Sequence, residues 1–294
     1  MAGVHPRAAT RRAASNLTND IEHIKVDALG PDTDWQAAVA NIDVVVHTAA
    51  RVHVMAETAS NPLTEFRKTN VEGTLNLARQ AAASGVKRFI FVSSIKVNGE
   101  MTAPGHPFTA DQEPAPIDPY GISKMEAEQG LAVIGNETNM EIVIIRPVLV
   151  YGPGVKANFL NMMTWLKRGM PLPLGAIHNR RSLVALDNLV DLIVKTLDHP
   201  AAANQTFLVS DGEDLSTTDL LRRLGTALGK PPLLIPLPAW MLHSAASLVG
   251  KSNISQRLCG SLQVDIKKNH KLLDWTPPLQ VDQALQKVAA HFLK

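Results

Sequence analysis

Cysteine, aromatic residues and long apolar runs are scarce in this chain of 294 residues. The one cysteine, Cys259, excludes an internal disulfide. A reduced, cytoplasmic setting is the default for such a chain, and Cys259 is expected to be a small core residue. No apolar stretch reaches the ~20 residues that a membrane-spanning helix requires. No apolar signal region follows the N-terminus. The segment 231–248 is strongly apolar, but Pro236, Pro238 and His243 interrupt it. It reads as a loop followed by a buried helix. An excess of charge of one sign is also missing, since 29 Lys and Arg face 27 Asp and Glu. Basic residues are dispersed apart from pairs such as Arg11-Arg12 and Lys267-Lys268. No basic stripe interleaved with aromatics exists, so nucleic acid is not an expected partner. Glycine, finally, is absent between Gly3 and Gly30.

What is present alternates. Short β-branched runs predict strands at residues 6–10, 24–26, 43–48, 88–93, 141–146 and 205–209. Helices are predicted between and after them, at 35–41, 62–84, 122–134, 159–168, 188–197 and 217–228. Gly85 is placed to end the long second helix. Pro119 suits the first turn of the third. The Pro-rich, acidic stretch 101–119 reads as a loop. Alternating strands and helices indicate a doubly wound parallel sheet, an α/β fold covered on both faces. The length suits one large domain, or a domain with a smaller lobe.

Candidate chemistry lies at the C-terminal ends of the predicted strands. Tyr120-Gly-Ile-Ser-Lys124 places a phenol and an ammonium on one helix face, one turn apart. A lysine beside a phenol favours the phenolate, so the tyrosine pKa is expected to fall towards neutrality. Such a tyrosine exchanges protons with an alcohol or ketone. Ser94 ends an apolar strand, where a hydroxyl reaches a sheet edge. Asn70 opens a helical run. The small residues of His47-Thr-Ala-Ala50 follow another strand and leave room for a flat ligand. The run ending Arg146-Pro-Val-Leu-Val-Tyr-Gly-Pro-Gly154 closes a third.

These residues, in this order, resemble the extended short-chain dehydrogenase/reductase family of nucleotide-sugar epimerases, dehydratases and ketoreductases. The resemblance runs from about Val4 to the C-terminus. It implies a Rossmann-like domain over residues 1–150. Residues 151–294 would then form a smaller lobe, mainly for a sugar nucleotide, with some segments returning to the sheet. It further implies that Ser94, Tyr120 and Lys124 are catalytic, with Asn70 in support. Tyr120 would be the general acid/base, Ser94 would bind the same oxygen, and Lys124 would also hold the nicotinamide ribose. Ala49 and Ala50 would line the cofactor site, and Asp27 would meet the adenine. Arg11 and Arg12 stand where the family reads the adenosine ribose. An arginine there suits a 2′-phosphate, so NADP is favoured over NAD. Arg181, Arg257 and Asn158 would bind a UDP-sugar, Arg181 at the diphosphate.

Two departures from the family pattern matter. The family's opening strand, Gly-rich turn and helix are not found, and the segment after Val4 looks like its second strand. About 25 residues are therefore expected upstream, and cofactor binding without them is expected to be poor. Dehydratases carry an acidic pair directly after the serine, whereas Ile95 and Lys96 stand here. Dehydration is thus disfavoured. The expected reaction is hydride transfer at carbon 4 of a UDP-sugar in surface-polysaccharide synthesis, by a 4-epimerase or a 4-keto-sugar reductase. The alternative is a non-catalytic relative that binds a ligand or partner. Homodimer formation stays open.

Overall fold

The structure, a computed structural model, describes residues 3–12, 21–52, 61–248, 256 and 258–294. The chain divides into two units. The first comprises Met1–Gly99, Glu113–Arg146 and Thr196–Thr206. The second comprises Glu100–Gln112, Pro147–Lys195 and Phe207–Lys294.

Strands β1 (Arg7–Thr10) and β2 (Glu22–Lys25) open the first unit as a parallel pair of their own. Helix α1 (Gln36–Val39) is a single turn, shorter than its sequence pattern predicts. Strand β3 (Val44–His47) then pairs in parallel with β4 (Arg88–Val92), which pairs in parallel with β5 (Glu141–Pro147). Beyond β5, Ile144 N–H donates to the Gln205 carbonyl at 2.9 Å, so the sheet continues there. Among the described residues β3 is the edge of this sheet, and Val46 on it is exposed.

The predicted helix over 62–84 is not uniform. Helix α2 (Pro62–Phe66) runs into a π-helical stretch, Arg67–Gly73, and then into α3 (Thr74–Ala83). Gly85 follows in the left-handed conformation, at φ +83°. Helix α4 (Pro119–Glu137) is longer than predicted. Asp118 caps it, accepting from Gly121 N–H at 2.7 Å, and Pro119 fills the first turn. Ala78 and Ala81 of α3 and Ala127 of α4 are fully buried, small residues that let the helices approach each other and the sheet. Phe89, Phe91, Leu77, Leu131 and Ile142 complete this core.

In the second unit, β6 (Leu149–Tyr151) pairs in parallel with β7 (Arg181–Ala185), and β9 (Asp214–Leu215) is antiparallel to β7. Around them lie α5 (Ala157–Arg168), α6 (Leu186–Thr196), α7 (Thr217–Ala227), α8 (Ala239–Leu248), α9 (Lys267–Leu273) and α10 (Val281–Phe292). β8 (Thr206–Val209) starts at the last residue of the first unit. Met163, Leu183, Leu221, Leu224, Leu285 and Val288 form the core of this unit, with Cys259 packed at its margin. Helix α8 is not the buried helix that its sequence predicts, because Trp240 and Met241 are exposed. Apolar content alone cannot tell a core helix from one with an uncovered face. No helix among the described residues is long and apolar enough to cross a membrane.

Candidate active site

Four predicted residues of the first unit meet around the first turns of α4. Strand β4 ends at Val92, and Ser94 caps the following 3₁₀ turn, Ile95–Val97, accepting from Lys96 N–H at 3.3 Å. Its hydroxyl lies near enough to the Tyr120 phenol to act on it, lowering the phenol's pKa. Gly121 permits this approach. A β-carbon there would stand 2.8 Å from the Lys96 carbonyl, so a larger residue would push the Tyr120 turn away from the Ser94 turn. Lys96 itself forms an ion pair with Asp118. Ile95 is buried.

Lys124 lies one turn further along α4 and is only 1% exposed. Its ammonium donates to the Val92 carbonyl at 2.8 Å and sits 3.8 Å from the Phe91 ring centroid. Burial pulls its pKa down to about 7, against the opposing pull of Glu128. The Tyr120 phenol moves the other way, up to about 12, through burial and then the negative charge of Asp118. Ser94 offsets only part of this. The expected depression of the tyrosine pKa by lysine is therefore not realised. Lys124 points its charge at a carbonyl and a π face, and burial itself disfavours that charge.

Asn70 lies in the π-helical stretch and is 1% exposed. Its amide nitrogen donates to the Arg51 carbonyl and to Ser123 Oγ, both at 3.0 Å. Its oxygen accepts from Arg51 N–H at 2.8 Å. Ser123 in turn donates to the Tyr120 carbonyl at 2.8 Å. Asn70 thus ties the segment after β3 to the turn that carries Tyr120. A π-helical insertion in such a place is a common functional signature.

A buried charge network, missed in the sequence, lies beneath. Glu128 receives a bidentate bond from Arg146, with Nη2 to Oε2 at 2.5 Å and Nε to Oε1 at 3.0 Å. Ser93 Oγ donates to the same carboxylate, and Arg146 Nη1 donates to Asn98 at 2.9 Å. The network joins β4, the 3₁₀ turn, α4 and β5. A carboxylate four residues after Lys124 and an arginine closing an apolar strand were the available signals. His47, at the end of β3, is also buried, bonds Thr74 Oγ1 at 3.0 Å and stacks on Phe91. Burial, then the Lys124 charge, lowers its pKa to about 3, so it is neutral.

The remaining predicted residues are placed as follows. Arg11 and Arg12 follow β1 and are exposed, as is Asp27 after β2. Ala49 is exposed and Ala50 half-buried after β3. All five thus lie past the carboxyl ends of parallel strands, where α/β sheets bind ligands. Small residues after β3 and an acid after β2 fit the two ends of a dinucleotide. Residues 1–294 contain no glycine triplet to cradle its pyrophosphate. In the second unit, Arg181 is half-buried on β7 and donates to the Gly260 carbonyl at 3.1 Å. Burial lowers its pKa. Asn158 falls in α5 with its side chain outside what is described, and Arg257 lies outside the described residues.

The model of the NAD dependent epimerase/dehydratase family matches residues 3–210. The chain belongs to this family. A UDP-glucose 4-epimerase of Vibrio cholerae is 49% identical over 289 residues, covering 98% of this chain and 88% of that protein. A second UDP-glucose 4-epimerase, from Mycolicibacterium smegmatis, is 30% identical over 236 residues, or 76% of this chain and 72% of its own. Among solved structures, the Thermotoga maritima UDP-glucose 4-epimerase with UDP-glucose superposes with a TM-score of 0.76 at 20% identity, covering 99% of this chain and 91% of that one. The Bacillus cereus UDP-glucuronic acid 4-epimerase in complex with NAD gives 0.73 at 21% identity, covering 94% and 82%. These likenesses establish the Rossmann-like α/β fold, and membership makes the chain an enzyme by ancestry.

Proposed function

We propose that the chain inverts carbon 4 of a UDP-sugar with NAD as hydride carrier, Ser94, Tyr120 and Lys124 being catalytic and Asn70 a positioning residue. The observation that carries this reading is Tyr120 next to Ser94, one helical turn before a buried Lys124, in a chain 49% identical to a UDP-glucose 4-epimerase. Bound NAD would supply the hydride acceptor in one half-reaction and the hydride donor in the other. In its phenolate form Tyr120 takes the proton of the carbon-4 hydroxyl as the carbon is oxidised, and it returns that proton when the ketone is reduced; burial and Asp118 make the phenolate the scarcer form, so the oxidative half carries the cost. Ser94 holds the same oxygen. Lys124 and Ala49–Ala50 would flank the nicotinamide end, and Asp27, Arg11 and Arg12 the adenosine end. Arg181, with Asn158 and Arg257, would hold the nucleotide diphosphate by charge-assisted bonds. Elimination is disfavoured, because the position after Ile95 holds a lysine paired with Asp118 rather than a free acid. A cytoplasmic setting and a place in surface-polysaccharide synthesis belong to the same reading.

A second reading, a 4-keto-sugar reductase, is favoured by the raised Tyr120 pKa, which suits a proton donor, and by the Arg11-Arg12 pair, which suits NADPH. Proton NMR of UDP-glucose incubated with the chain and millimolar NAD separates the two. Epimerisation is redox-neutral and is expected to yield UDP-galactose without net NADH. Turnover of a 4-keto-6-deoxy sugar nucleotide with one reduced cofactor consumed per product selects the reductase. A 4-keto-6-deoxy product from UDP-glucose would overturn both.

A further inference from the structure

Two stretches of the sequence contain no acidic residue. One spans residues 142–186, between Glu141 and Asp187, and the other spans 220–264, between Asp219 and Asp265. Together they hold eleven Lys and Arg, in a chain whose net charge is only +2. The second unit brings them side by side. Leu172 N–H donates to the Leu233 carbonyl at 2.9 Å, and Ile235 N–H to the Leu172 carbonyl at 2.8 Å. Gly175 N–H donates to the Ile235 carbonyl at 2.9 Å. Lys230 Nζ reaches the Lys167 carbonyl at 2.9 Å.

The segment leading into α8 is apolar on both sides. Leu234 and Leu242 pack against the core. Leu233, Ile235, Trp240 and Met241 face outwards, at 62%, 44%, 67% and 40% exposure. Met170, next to this segment, is exposed too. Solitary exposed apolar residues are ordinary, but a run of them with a tryptophan is a binding surface. Lys167, Arg168 and Lys230 border it, all exposed and none in an ion pair among the described residues. We propose that this surface docks the protein peripherally onto an anionic lipid bilayer. Trp240 and its aliphatic neighbours enter the boundary between headgroups and acyl chains, the level that indole rings prefer. Lys167, Arg168 and Lys230 meet the headgroup phosphates. A second copy is a poorer occupant. A two-fold contact would set the patch against itself, and its cations against cations.

The full chain is tested by flotation with vesicles of phosphatidylcholine alone and of phosphatidylcholine mixed with phosphatidylglycerol. It is expected to float with the mixed vesicles, not with the neutral ones, and to be released by high salt. Lys230→Glu and Lys167→Glu should each weaken partitioning about fivefold or more, the worth of one basic residue at an anionic surface. Trp240→Glu should abolish it with the far-UV circular dichroism unchanged. If Trp240→Glu does not fold, Leu233→Ser carries the same expectation. A folded chain that fails to float with anionic vesicles overturns the proposal, as does binding indifferent to the patch variants. Light scattering provides the third outcome, because a dimer that Trp240→Glu or Leu233→Ser converts to monomer assigns the patch to a second copy.

Discussion

At the scale of the residue, the site rests on where two charges go. Lys124 is spent on the Val92 carbonyl and the Phe91 face, and Tyr120 stays protonated far above neutrality. Ser94 acts on the phenol in the opposite sense, lowering its pKa, but does not outweigh burial. Tyr120→Phe keeps the ring and its edge contact with Phe66, at 6.0 Å between centroids, and removes only the hydroxyl. Its turnover is expected to fall about a hundred- to ten-thousand-fold, the range for loss of a general acid/base. KM for the sugar nucleotide should change little. Steady-state kinetics with purified variant and wild type checks this, and turnover near wild type would remove Tyr120 from the proposed mechanism. The Tyr-x-x-x-Lys spacing was legible in the sequence. The direction of the tyrosine pKa was not, because it depends on burial and on Asp118, which the spacing does not report.

At the scale of the element, the site is a junction rather than a strand end. Ser93, Asn98, Glu128 and Arg146 are each 5% exposed or less and come from four successive segments of the first unit. Every charge in this network has a partner, which is the condition under which buried ions are tolerated. Removing one partner strands the other. Arg146→Met is expected to cost about 3–5 kcal/mol of folding stability, measured by urea denaturation. A Glu128→Leu, Arg146→Met double variant should recover most of that loss, because it buries no lone carboxylate. A single variant as stable as wild type would show that the network does not clamp the junction. The positions of β3, β4 and β5 followed from β-branched runs and Pro119 marked the first turn of α4, whereas the Asp118 cap, and with it the start three residues before the predicted 122, did not. The π-helical stretch was not legible. It arises where Asn70 reaches both Arg51 and Ser123, two contacts distant in sequence.

At the scale of the whole molecule, the phosphate problem dominates. A pyrophosphate is ordinarily held by close backbone approach at glycines and by a helix N-terminus. Residues 1–294 offer no glycine triplet for this, while β1 and β2 pair only with each other among the described residues. Carbon-4 turnover by this chain is therefore expected to depend on added NAD, with half-saturation above the micromolar range. Activity assayed across a series of NAD concentrations tests it. A preparation that turns over fully with no cofactor added would show that the remaining contacts suffice.

The sequence by itself determined the family and the parallel α/β order, and it singled out the tyrosine, serine, lysine and asparagine for which a catalytic role is proposed. These are written in local spacing and in hydrophobic period, which survive without any knowledge of packing. Tertiary structure decided the direction in which the Tyr120 and Lys124 pKa values move, the Glu128–Arg146 clamp and the outward face of Trp240. Each of these depends on what lies across space from a residue. A pKa responds to burial and to charges from other segments, and an apolar helix is covered or uncovered only by its neighbours.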